Sequence, residues 1–438
     1  MLVNSMKEHS KRAALYAAIS ISLVPCFGLL TFPSVVSPPS LALYASAILG
    51  YIGLVLLLWM YVLGTKSVMG LWFTDLAPVL SIHKWIGKYG VVLIAIHPLL
   101  ITYSYGKSLL YSFIPKLDTV AERHILLGQI AFWLLIIIWI SSAVVRDKLS
   151  WRTRKYLHFV TYVCLPFALL HVLDLGSQEQ THVLIKAYLL LLGLVLLTFS
   201  LLRMRSFLNL DRTRYIVVSQ AKLTESDYSL LLRPLTSHHL TPKQGQYVYI
   251  KLGYLSEDHP FSVVRYDQAT DEMVLAYRVF GMYTKELKKL QANSTVFLSR
   301  PYGSFMEELV SDGTTPVVYL AGGIGITPFA DRIMQQGTIR EQWLFAANRS
   351  RSSAVLIPTL KSALGDRCIC VYNREDGSLG EGEEAGYITA VLLKKYLIDP
   401  TRFHYYLCGP PGMIAAMRSN LAALTVPKHA IHSEKFEW

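Results

Sequence analysis

The sequence has little charge, few cysteines and, in its first half, few acidic residues. Charged residues make up 16% of the 438 residues, against about 25% in a typical soluble domain. That deficit argues against an ordinary cytosolic protein, and the 53% hydrophobic share excludes a disordered chain. The five cysteines suggest no disulfide framework. Cys368 and Cys370, on a predicted strand, are expected to face opposite sides of it.

The net charge of +12 is unevenly distributed along the chain. Residues 1–208 contain 17 Lys/Arg and 7 Asp/Glu, a net of +10, and the remaining residues contain 25 and 23, a net of +2. A strongly basic chain raises the question of a nucleic-acid partner. Because the excess lies in the apolar half, it indicates membrane topology instead, and we expect no nucleic-acid partner.

Six apolar stretches are long enough to cross a lipid bilayer. They run approximately over residues 13–32, 41–63, 84–103, 124–145, 156–174 and 183–202. Thirteen Lys/Arg residues near the span ends lie on one side and four on the other, and the positive-inside rule places the thirteen in the cytoplasm. The sequence therefore predicts a cell-membrane protein with six spans and both termini cytoplasmic.

Four histidines lie on the third and fifth predicted spans, in two pairs at matching depths: His83 with His158, and His97 with His171. Ionisable residues at membrane depth are costly and usually functional. Two such pairs can hold two haems, one above the other, with one imidazole from each helix on each iron. The chain has no C-x-x-C-H attachment motif, so these would be two b-type haems.

The spacing of the histidines tests this interpretation. His83 and His97, on the third span, are fourteen residues apart, which gives a rise of about 21 Å and places them within about 40° of one helix face. His158 and His171, on the fifth span, are thirteen residues apart and about 140° out of register on an ideal helix. The fifth span therefore needs a kink or bulge. Pro166 lies between them and can supply it. The alternative is that the histidines only form hydrogen bonds between helices. His124 and His182, at the outer ends of spans, are expected to be interfacial.

From about residue 209 the composition becomes that of a soluble protein. Short alternating strands predict an antiparallel barrel over 209–312, and strand–helix alternation predicts a doubly wound α/β domain over 313–438. These follow a membrane all-α domain over 1–208. The candidate strands are Tyr215–Val218, Gln246–Lys251, Glu272–Tyr277, Val317–Leu320, Gln342–Ala346, Cys368–Tyr372 and Tyr405–Cys408.

A glycine-rich turn, Gly322-Gly323-Ile324-Gly325, follows the first strand of the α/β domain. Glycines let backbone amides approach a phosphate, and a helix N-terminus stabilises its charge. Thr327 is the candidate N-cap, with Pro328 in the first helical turn. Alone, this signal is weak, because any tight strand–helix turn favours glycine.

Four further motifs surround this turn in a fixed order. They are His259-Pro260-Phe261-Ser262, Tyr277-Arg278-Val279-Phe280-Gly281, Pro301-Tyr302-Gly303-Ser304 and Cys408-Gly409-Pro410-Pro411-Gly412. The set resembles the ferredoxin–NADP reductase family, and its spacing covers all of residues 209–438. The resemblance implies one FAD and one nicotinamide dinucleotide.

The resemblance also implies roles for the flavin-side residues. Pro260, Phe261 and Ser262, in the motif that His259 opens, would flank the flavin ring, with the Ser262 hydroxyl near flavin N5. Arg278 would pair with the FAD pyrophosphate, for which a guanidinium is a bidentate match. Further contacts to the phosphates would come from Gly281, Thr284, Tyr302 and Gly303.

On the nicotinamide side, the resemblance assigns Gly322, Gly323 and Gly325, with Thr327 and Pro328, to the dinucleotide. Cys408, Gly409 and Pro410 would lie where nicotinamide meets flavin, although Cys408 is also readable as a small buried residue at a strand end. Phe436 would stack on the flavin, with Trp438 as the alternative, and either aromatic could instead close a hydrophobic core.

The second strand of the α/β domain is followed by Asn348-Arg349-Ser350-Arg351. Arg349, with Arg351 close behind, suits the 2′-phosphate of NADPH. No acidic residue of this segment is placed to take a ribose 2′-hydroxyl, as an NAD site would require. NADPH is favoured, and NADH stays open.

A six-span helical domain with paired histidines before such a module resembles the ferric reductase and NADPH oxidase superfamily, over nearly all of residues 40–438. The compact chain looks prokaryotic. The resemblance implies that NADPH reduces FAD, which passes electrons singly through two haems to an acceptor outside. Oxygen, giving superoxide, is the favoured acceptor. A ferric chelate, or a quinone or protein partner served by an electron-transfer subunit, is the alternative. The sequence identifies no accessory subunit.

Overall fold

The computed structural model describes residues 2–175, 183–237, 239–254, 256–307, 309, 315–336, 341–375 and 377–434. Phe436, Trp438 and His182 lie outside the described residues. The chain forms two compact units, one over Ser5–Arg205 and the other over Met1–Asn4 with Ser206–Trp438. We call the first the helical unit and the second the mixed unit, and each is described by itself.

The helical unit is built from apolar α-helices. They are α1 Leu2–Leu23, α2 Pro25–Gly28, α3 Pro38–Leu63, α4 Lys66–Trp72, α5 Ala77–Ser104, α6 Val120–Trp139, α7 Trp151–Phe159, α8 Thr161–Leu175 and α9 Val183–Phe207. Among the described residues, five helical segments are long and apolar enough to cross a membrane. These segments are Pro38–Leu63, Ala77–Ser104, Val120–Val144, Arg152–Leu173 and Val183–Phe207. The first predicted span, over 13–32, is divided between α1 and α2, so the sixth crossing stays a prediction.

Local sequence explains where the long helices begin. The Ser37 hydroxyl accepts from the Ser40 amide, and Pro38 occupies the first helical position of α3, where its missing N–H has no cost. At α6, Thr119 and Glu122 form a reciprocal capping box. Both caps replace the hydrogen bonds that the first helical amides lack.

The predicted interruption of the fifth span is confirmed, but its position differs from the expectation. Helix α7 ends at Phe159 and α8 begins at Thr161, so the break lies at Val160. Pro166 lies inside α8, where it deprives the Tyr162 carbonyl of its helical donor. The break falls between His158 and His171, the two residues whose register required it.

The mixed unit begins with the predicted antiparallel barrel. Its strands are β1 Thr213–Lys222, β2 Asp227–Pro234, β3 Tyr247–Lys251, β4 Asp258–Asp267, β5 Glu272–Arg278 and β6 Thr295–Leu298. They close in the order β1-β2-β5-β4-β3-β6, and every pair is antiparallel. Helix α10, Met282–Lys288, follows β5. Closure leaves no free strand edge, and alternate side chains such as Tyr215, Val217 and Leu230 fill the interior.

The predicted parallel sheet follows. Its strands are β7 Val317–Gly322, β8 Gln342–Asn348, β9 Cys368–Tyr372, β10 Glu383–Ala385, β11 His404–Cys408 and β12 Ile431–Glu434. Its helices are α11 Thr327–Gln336, α12 Ile357–Leu364, α13 Ala390–Tyr396 and α14 Pro411–Ala423. The order β10-β9-β8-β7-β11-β12 places β7 centrally, and separate cores, one with Phe329 and one with Leu421, cover the sheet. This is the doubly wound fold.

Two local expectations were wrong. Thr327 is not an N-cap: its φ and ψ of −58° and −41° are helical, and its hydroxyl donates to the Ile324 carbonyl. The reason is that a 3₁₀ turn over Gly323–Ile326 already begins the helical path. Cys368 and Cys370 belong to one core cluster rather than to opposite faces, because residues two apart on a strand share a face.

Candidate functional site

The predicted inner histidine pair meets inside the helical unit. His83 on α5 and His158 on α7 have ring centroids 6.0 Å apart, with ring planes inclined at 62°. Both line a cavity of about 210 Å³ whose wall also includes Arg203 and Tyr162. Metal–imidazole bonds of about 2 Å, as known for zinc, put two rings that share a metal ion roughly 6 Å apart. The spacing of this pair therefore fits a shared metal.

The predicted outer pair lines a second cavity. His97 on α5 and His171 on α8 face a space of about 440 Å³, which is within the usual size of a ligand pocket, about 300–1,000 Å³. Three residues, Leu57, Leu135 and Cys164, line both cavities and form the wall between them. The fold thus gives each histidine pair its own space.

Hydrogen bonds fix three of the four imidazoles. The Nδ1 atom lies 2.9 Å from a helix carbonyl in each case: His83 from Met60 O, His97 from Ser46 O, and His171 from His124 O. A carbonyl oxygen only accepts, so Nδ1 carries the proton and Nε2 keeps its lone pair. Metal-binding histidines are oriented by this kind of second contact.

These bonds are also what the alternative interpretation, hydrogen bonding between helices, predicts. They use only Nδ1, however, and no Nε2 atom of the four rings has a hydrogen-bond partner among the residues that the structure describes. In that part of the chain, no three His, Cys, Asp or Glu side chains are grouped to hold a bare metal ion. Paired histidines with free Nε2 atoms suit a metal whose other ligands belong to a macrocycle, as in haem.

Sequence reasoning missed Gln129 on α6, which also lines the outer cavity. Its side-chain amide donates to Tyr111 O at 3.1 Å, with Ile114 O at 3.4 Å. Its Oε1 is buried and has no partner among the described residues. Gln129 therefore ties the segment before α6 to the cavity wall. A lone polar residue in an apolar span is the signal that was available.

In the mixed unit, aromatic rings collect around the first predicted flavin motif. His259 stacks on Tyr283 with centroids 3.9 Å apart, and Phe261 lies parallel to the same ring at 6.3 Å. Pro260 and Ser262 pair with Tyr249 and Tyr247 on β3, and Tyr247 also bridges to Tyr302. The arrangement offers flat apolar surfaces of the kind that bind a ring system.

Arg278 has a partner that the sequence analysis did not identify. Its Nε and Nη2 atoms donate to the two carboxylate oxygens of Asp227, at 2.8 and 3.0 Å. Asp227 is fully buried and also accepts from the Thr224 hydroxyl. The third guanidinium nitrogen, Nη1, lies 3.3 Å from where a Cβ on Gly323 would be. The pair with Asp227 therefore fixes the guanidinium beside the glycine-rich turn.

The Thr284 hydroxyl is used within the protein. It accepts from the amides of Phe280 and Gly281, at 3.0 and 3.1 Å, and so caps α10. This leaves the role of Thr284 as a cap, and any phosphate contact of this turn would come from backbone amides.

The glycine-rich turn packs against the Cys408 motif. A Cβ on Gly325 would overlap the Cys408 carbonyl, and one on Gly322 would meet Pro410 at 2.8 Å. Of the three glycines in this turn, Gly323 alone has a positive φ, of 56°. Gly322 and Gly325 thus permit close contact between two backbone segments, which the expected phosphate role did not predict. Pro328 follows Thr327 in the first turn of α11.

Cys408 lies at the end of β11, beside Glu434 of β12 and against the turn. It is fully buried, and burial raises the pKa of its thiol well above the usual range. The thiol is therefore protonated at neutral pH and is not a thiolate nucleophile. Its small size at this crossing point, together with Gly409, is what the packing requires.

The two arginines after β8 differ in their surroundings. Arg351 donates from Nε to Glu383 at 2.9 and 3.0 Å and pairs with Glu375. Arg349 is exposed and has no ion pair with the described residues. The acidic partners of Arg351 are thus Glu383, on β10, and Glu375, which precedes that strand. Arg349 remains available to a phosphate.

Two family matches agree with this geometry. Residues 49–169 match the ferric reductase like transmembrane component, and residues 319–419 match the oxidoreductase NAD-binding domain. The first range contains all of the paired histidines except His171 and the second contains the glycine-rich turn and Cys408.

Curated relatives match about half of the chain. The reductase component of propane 2-monooxygenase from Mycolicibacterium goodii is 26% identical over 227 residues, covering 49% of this chain and 64% of that protein. The electron transfer subunit of dihydroorotate dehydrogenase B from Listeria monocytogenes is 25% identical, covering 48% and 79%. This chain thus spans less than two thirds of the first of these relatives.

Among solved structures, a flavohemoglobin from Malassezia yamatoensis with bound FAD and heme is similar at 21% identity and a TM-score of 0.46, covering 74% of this chain and 90% of that one. The two family matches, the closed barrel and the parallel sheet together identify a ferric-reductase-like transmembrane domain joined to an NAD-binding oxidoreductase module, and the chain is an NAD(P)H-dependent oxidoreductase of the membrane.

Proposed function

We propose that the protein carries electrons from cytoplasmic NADPH through FAD and two b-type haems to an acceptor on the outer side of the cell membrane. The observation that carries this proposal is the pairing of His83 with His158 and of His97 with His171, each pair on its own cavity. The cytoplasmic side is supported by the thirteen basic residues near one set of span ends.

Haem supplies one-electron redox chemistry when bound, and the chain would supply its axial ligands and surroundings. His83 and His158 would hold the inner group, with the Arg203 guanidinium in the same cavity available to a carboxylate. His97 and His171 would hold the outer group. With both imidazoles of each pair used as ligands, the chain would offer the acceptor no binding position on the metal.

On the other unit, Pro260, Phe261 and Ser262 would contact the flavin ring. Arg278, fixed by Asp227, would pair with the pyrophosphate. Gly323 would approach the nicotinamide dinucleotide, with Cys408 and Gly409 at the meeting point with flavin. Arg349 supports NADPH over NADH, because a guanidinium without an ion pair matches the 2′-phosphate.

We propose molecular oxygen as the acceptor, with superoxide as the product. The outer cavity is mainly apolar, and its polar contacts include Lys107, Ser112 and Gln129. Because this cavity would hold the outer haem, the acceptor would meet the lining only in the space that the haem leaves, and an apolar lining favours a small uncharged molecule over a bulky ferric chelate. A protein partner is the second candidate, because the relatives above are named as a reductase component and an electron transfer subunit.

The first test is an absorbance spectrum of the purified full-length protein. The oxidised protein should show one flavin per chain and the dithionite-reduced protein two b-type haems, and the absence of haem would overturn the proposal. Acceptor choice is tested separately, by NADPH consumption with oxygen and with ferric citrate. Added cytochrome c reports superoxide by becoming reduced, and superoxide dismutase should abolish that reduction if oxygen is the acceptor. Reduction of ferric citrate that superoxide dismutase leaves unchanged would identify a metal reductase.

A further inference from the structure

The three fixed histidines share a feature of the helices that hold them. Their carbonyl acceptors are Ser46, Met60 and His124. Four residues beyond each acceptor stands a glycine: Gly50, Gly64 and Gly128. With 27 glycines in 438 residues, three coincidences at one spacing are not expected by chance.

Helix geometry gives this spacing a reason. A carbonyl at position i already accepts from the amide at i+4. Each side chain leans toward the helix N-terminus, so the side chain at i+4 covers the turn that contains this carbonyl. Glycine removes the cover and leaves the second lone pair of the oxygen open to a donor from another helix.

The local distances agree. A Cβ on Gly128 would lie 2.7 Å from His171 Nδ1, and one on Gly50 would lie 3.0 Å from His97 Nδ1. At Gly64 no atom of His83 is among the three nearest neighbours of an added Cβ, so this glycine shares the spacing but not the contact. Gly50 and Gly128 make room for the imidazole rings.

We infer that Gly50 and Gly128 are positioning residues that fix the tautomer and direction of His97 and His171. By keeping Nδ1 protonated on a carbonyl, each glycine directs Nε2 into the cavity as a metal ligand and increases its basicity. This inference rests on the proposed haem sites. The His158 ring has no such bond to the residues that the structure describes, so in that part of the chain the outer site has two fixed ligands and the inner site has one.

The test is Gly128→Ala in the full-length protein, with haem content and the reduction potential of each haem as readouts. The added methyl should displace His171, and we expect a change of about 10–100-fold in haem affinity at the outer site, the effect known for outer-shell partners of metal ligands. The inner haem should keep its potential and its ferric electron paramagnetic resonance signal. Gly50→Ala should give the same pattern more weakly, because its methyl lies farther from the ring.

Gly90→Ala on α5 is the control. A Cβ on Gly90 would meet Leu56 Cδ1 of α3 at 3.5 Å, and neither residue lines either cavity. This variant should leave both haem signals unchanged. NADPH-dependent ferricyanide reduction by the flavin module reports folding in every variant.

The outcomes separate this inference from the proposed function. A wild-type protein without haem would overturn both. Two haems in the wild type, with Gly128→Ala and Gly50→Ala leaving the outer signal unchanged, would overturn this inference alone. So would an equal loss in Gly90→Ala, because general helix packing would then explain the effect. If Gly128→Ala fails to fold, Gly50→Ala decides.

Discussion

The helical unit and the mixed unit hold their candidate ligands by different kinds of contact. In the helical unit, neutral backbone carbonyls orient the imidazoles, as Ser46 O does for His97 and His124 O for His171. In the mixed unit, ion pairs do the same work, with Asp227 on Arg278 and Glu383 on Arg351. Charge is correspondingly scarce in one half: 24 of the first 208 residues are charged, against 48 of the last 230.

The difference follows from the solvent around each unit. A carboxylate in a bilayer is costly to desolvate, whereas a helix carbonyl is present in every turn and adds no charge. A glycine four residues after such a carbonyl then leaves its oxygen accessible to a histidine from another helix. In water, a charged partner is cheap to maintain, and burying one member, as with Asp227, increases its directing effect. The predictions below test whether each unit depends on its own kind of contact.

The largest effect is expected from His97→Ala. It leaves His171 without its partner, so the haem content should fall from two per chain to about one. Electron transfer from NADPH to the outer acceptor should fall by more than about 100-fold, because even outer-shell changes at metal sites cost about 10–100-fold. Ferricyanide reduction by the flavin module should stay within about twofold, because the substitution lies in the helical unit and removes no contact within the mixed unit. A variant that retains two haems would contradict the assignment.

The next largest is expected from Asp227→Asn in the mixed unit. Arg278 would lose a charge-assisted bidentate partner, worth about 1.5–3 kcal/mol per hydrogen bond to a charged group. With the guanidinium no longer fixed, FAD affinity should fall by about 10–100-fold, at 1.4 kcal/mol for each factor of ten. Fluorescence of FAD released on dilution measures it, and both haems should be retained.

Glu272→Gln is the matched control for that variant. Glu272 pairs with Arg233 on the barrel surface, where the Arg233 side chain is 53% exposed, and exposed pairs contribute about 0–1 kcal/mol. FAD affinity should not change. Equal losses in the two variants would show that barrel stability, rather than the direction of Arg278, determines FAD binding.

Much of the fold was predictable because its signals are local. The strands predicted at Tyr215–Val218, Val317–Leu320 and Tyr405–Cys408 all lie within observed strands, because alternation and buried β-branched runs report directly on burial. The first span was harder, since hydropathy does not show that the helix is interrupted before Pro25. The break at Val160 was inferred from register, but its position depends on packing.

The candidate sites were only partly predictable, for a related reason. Residue types at fixed spacings identified the histidines, Arg278 and the glycine-rich turn. Partners distant in sequence were missed: Asp227 lies 51 residues from Arg278, and Glu383 lies 32 residues from Arg351. A single sequence carries no signal for such pairs. Glu375 and Glu383 therefore reach Arg351 from outside the Arg349 segment, which itself contains no acidic residue.

A smaller effect separates the two arginines after β8. Arg349→Ala should raise KM for NADPH by about tenfold, the loss of roughly one charge-assisted contact of about 1.4 kcal/mol, and leave KM for NADH unchanged. Arg351→Ala should affect both nucleotides alike, because Arg351 is already paired with Glu383. Initial rates of ferricyanide reduction by the full-length protein measure both KM values, because ferricyanide accepts electrons from the flavin module directly. An equal effect of Arg349→Ala on NADH would remove the 2′-phosphate assignment.

The smallest effect is a pH dependence that only one nucleotide should show. The Arg351 side chain holds the pKa of Glu383 at about 2, below its ordinary value of 4.5. The stability contributed by a carboxylate with a lowered pKa is complete above its ordinary pKa and is lost as pH falls through the folded value. Both pKa values lie about one unit or more below pH 5.5, so the Arg351–Glu383 pair should stay constant between about pH 5.5 and 7.5.

The 2′-phosphate of NADPH does titrate in this interval, with a second pKa of about 6. As pH falls, it loses charge and binds Arg349 less well, so KM for NADPH should rise by about threefold while KM for NADH stays flat. Arg349→Ala should abolish the slope. A parallel rise for NADH would mean that a group shared by both nucleotides titrates, and the charge-based positioning assigned to this unit would then not extend to its choice of nucleotide.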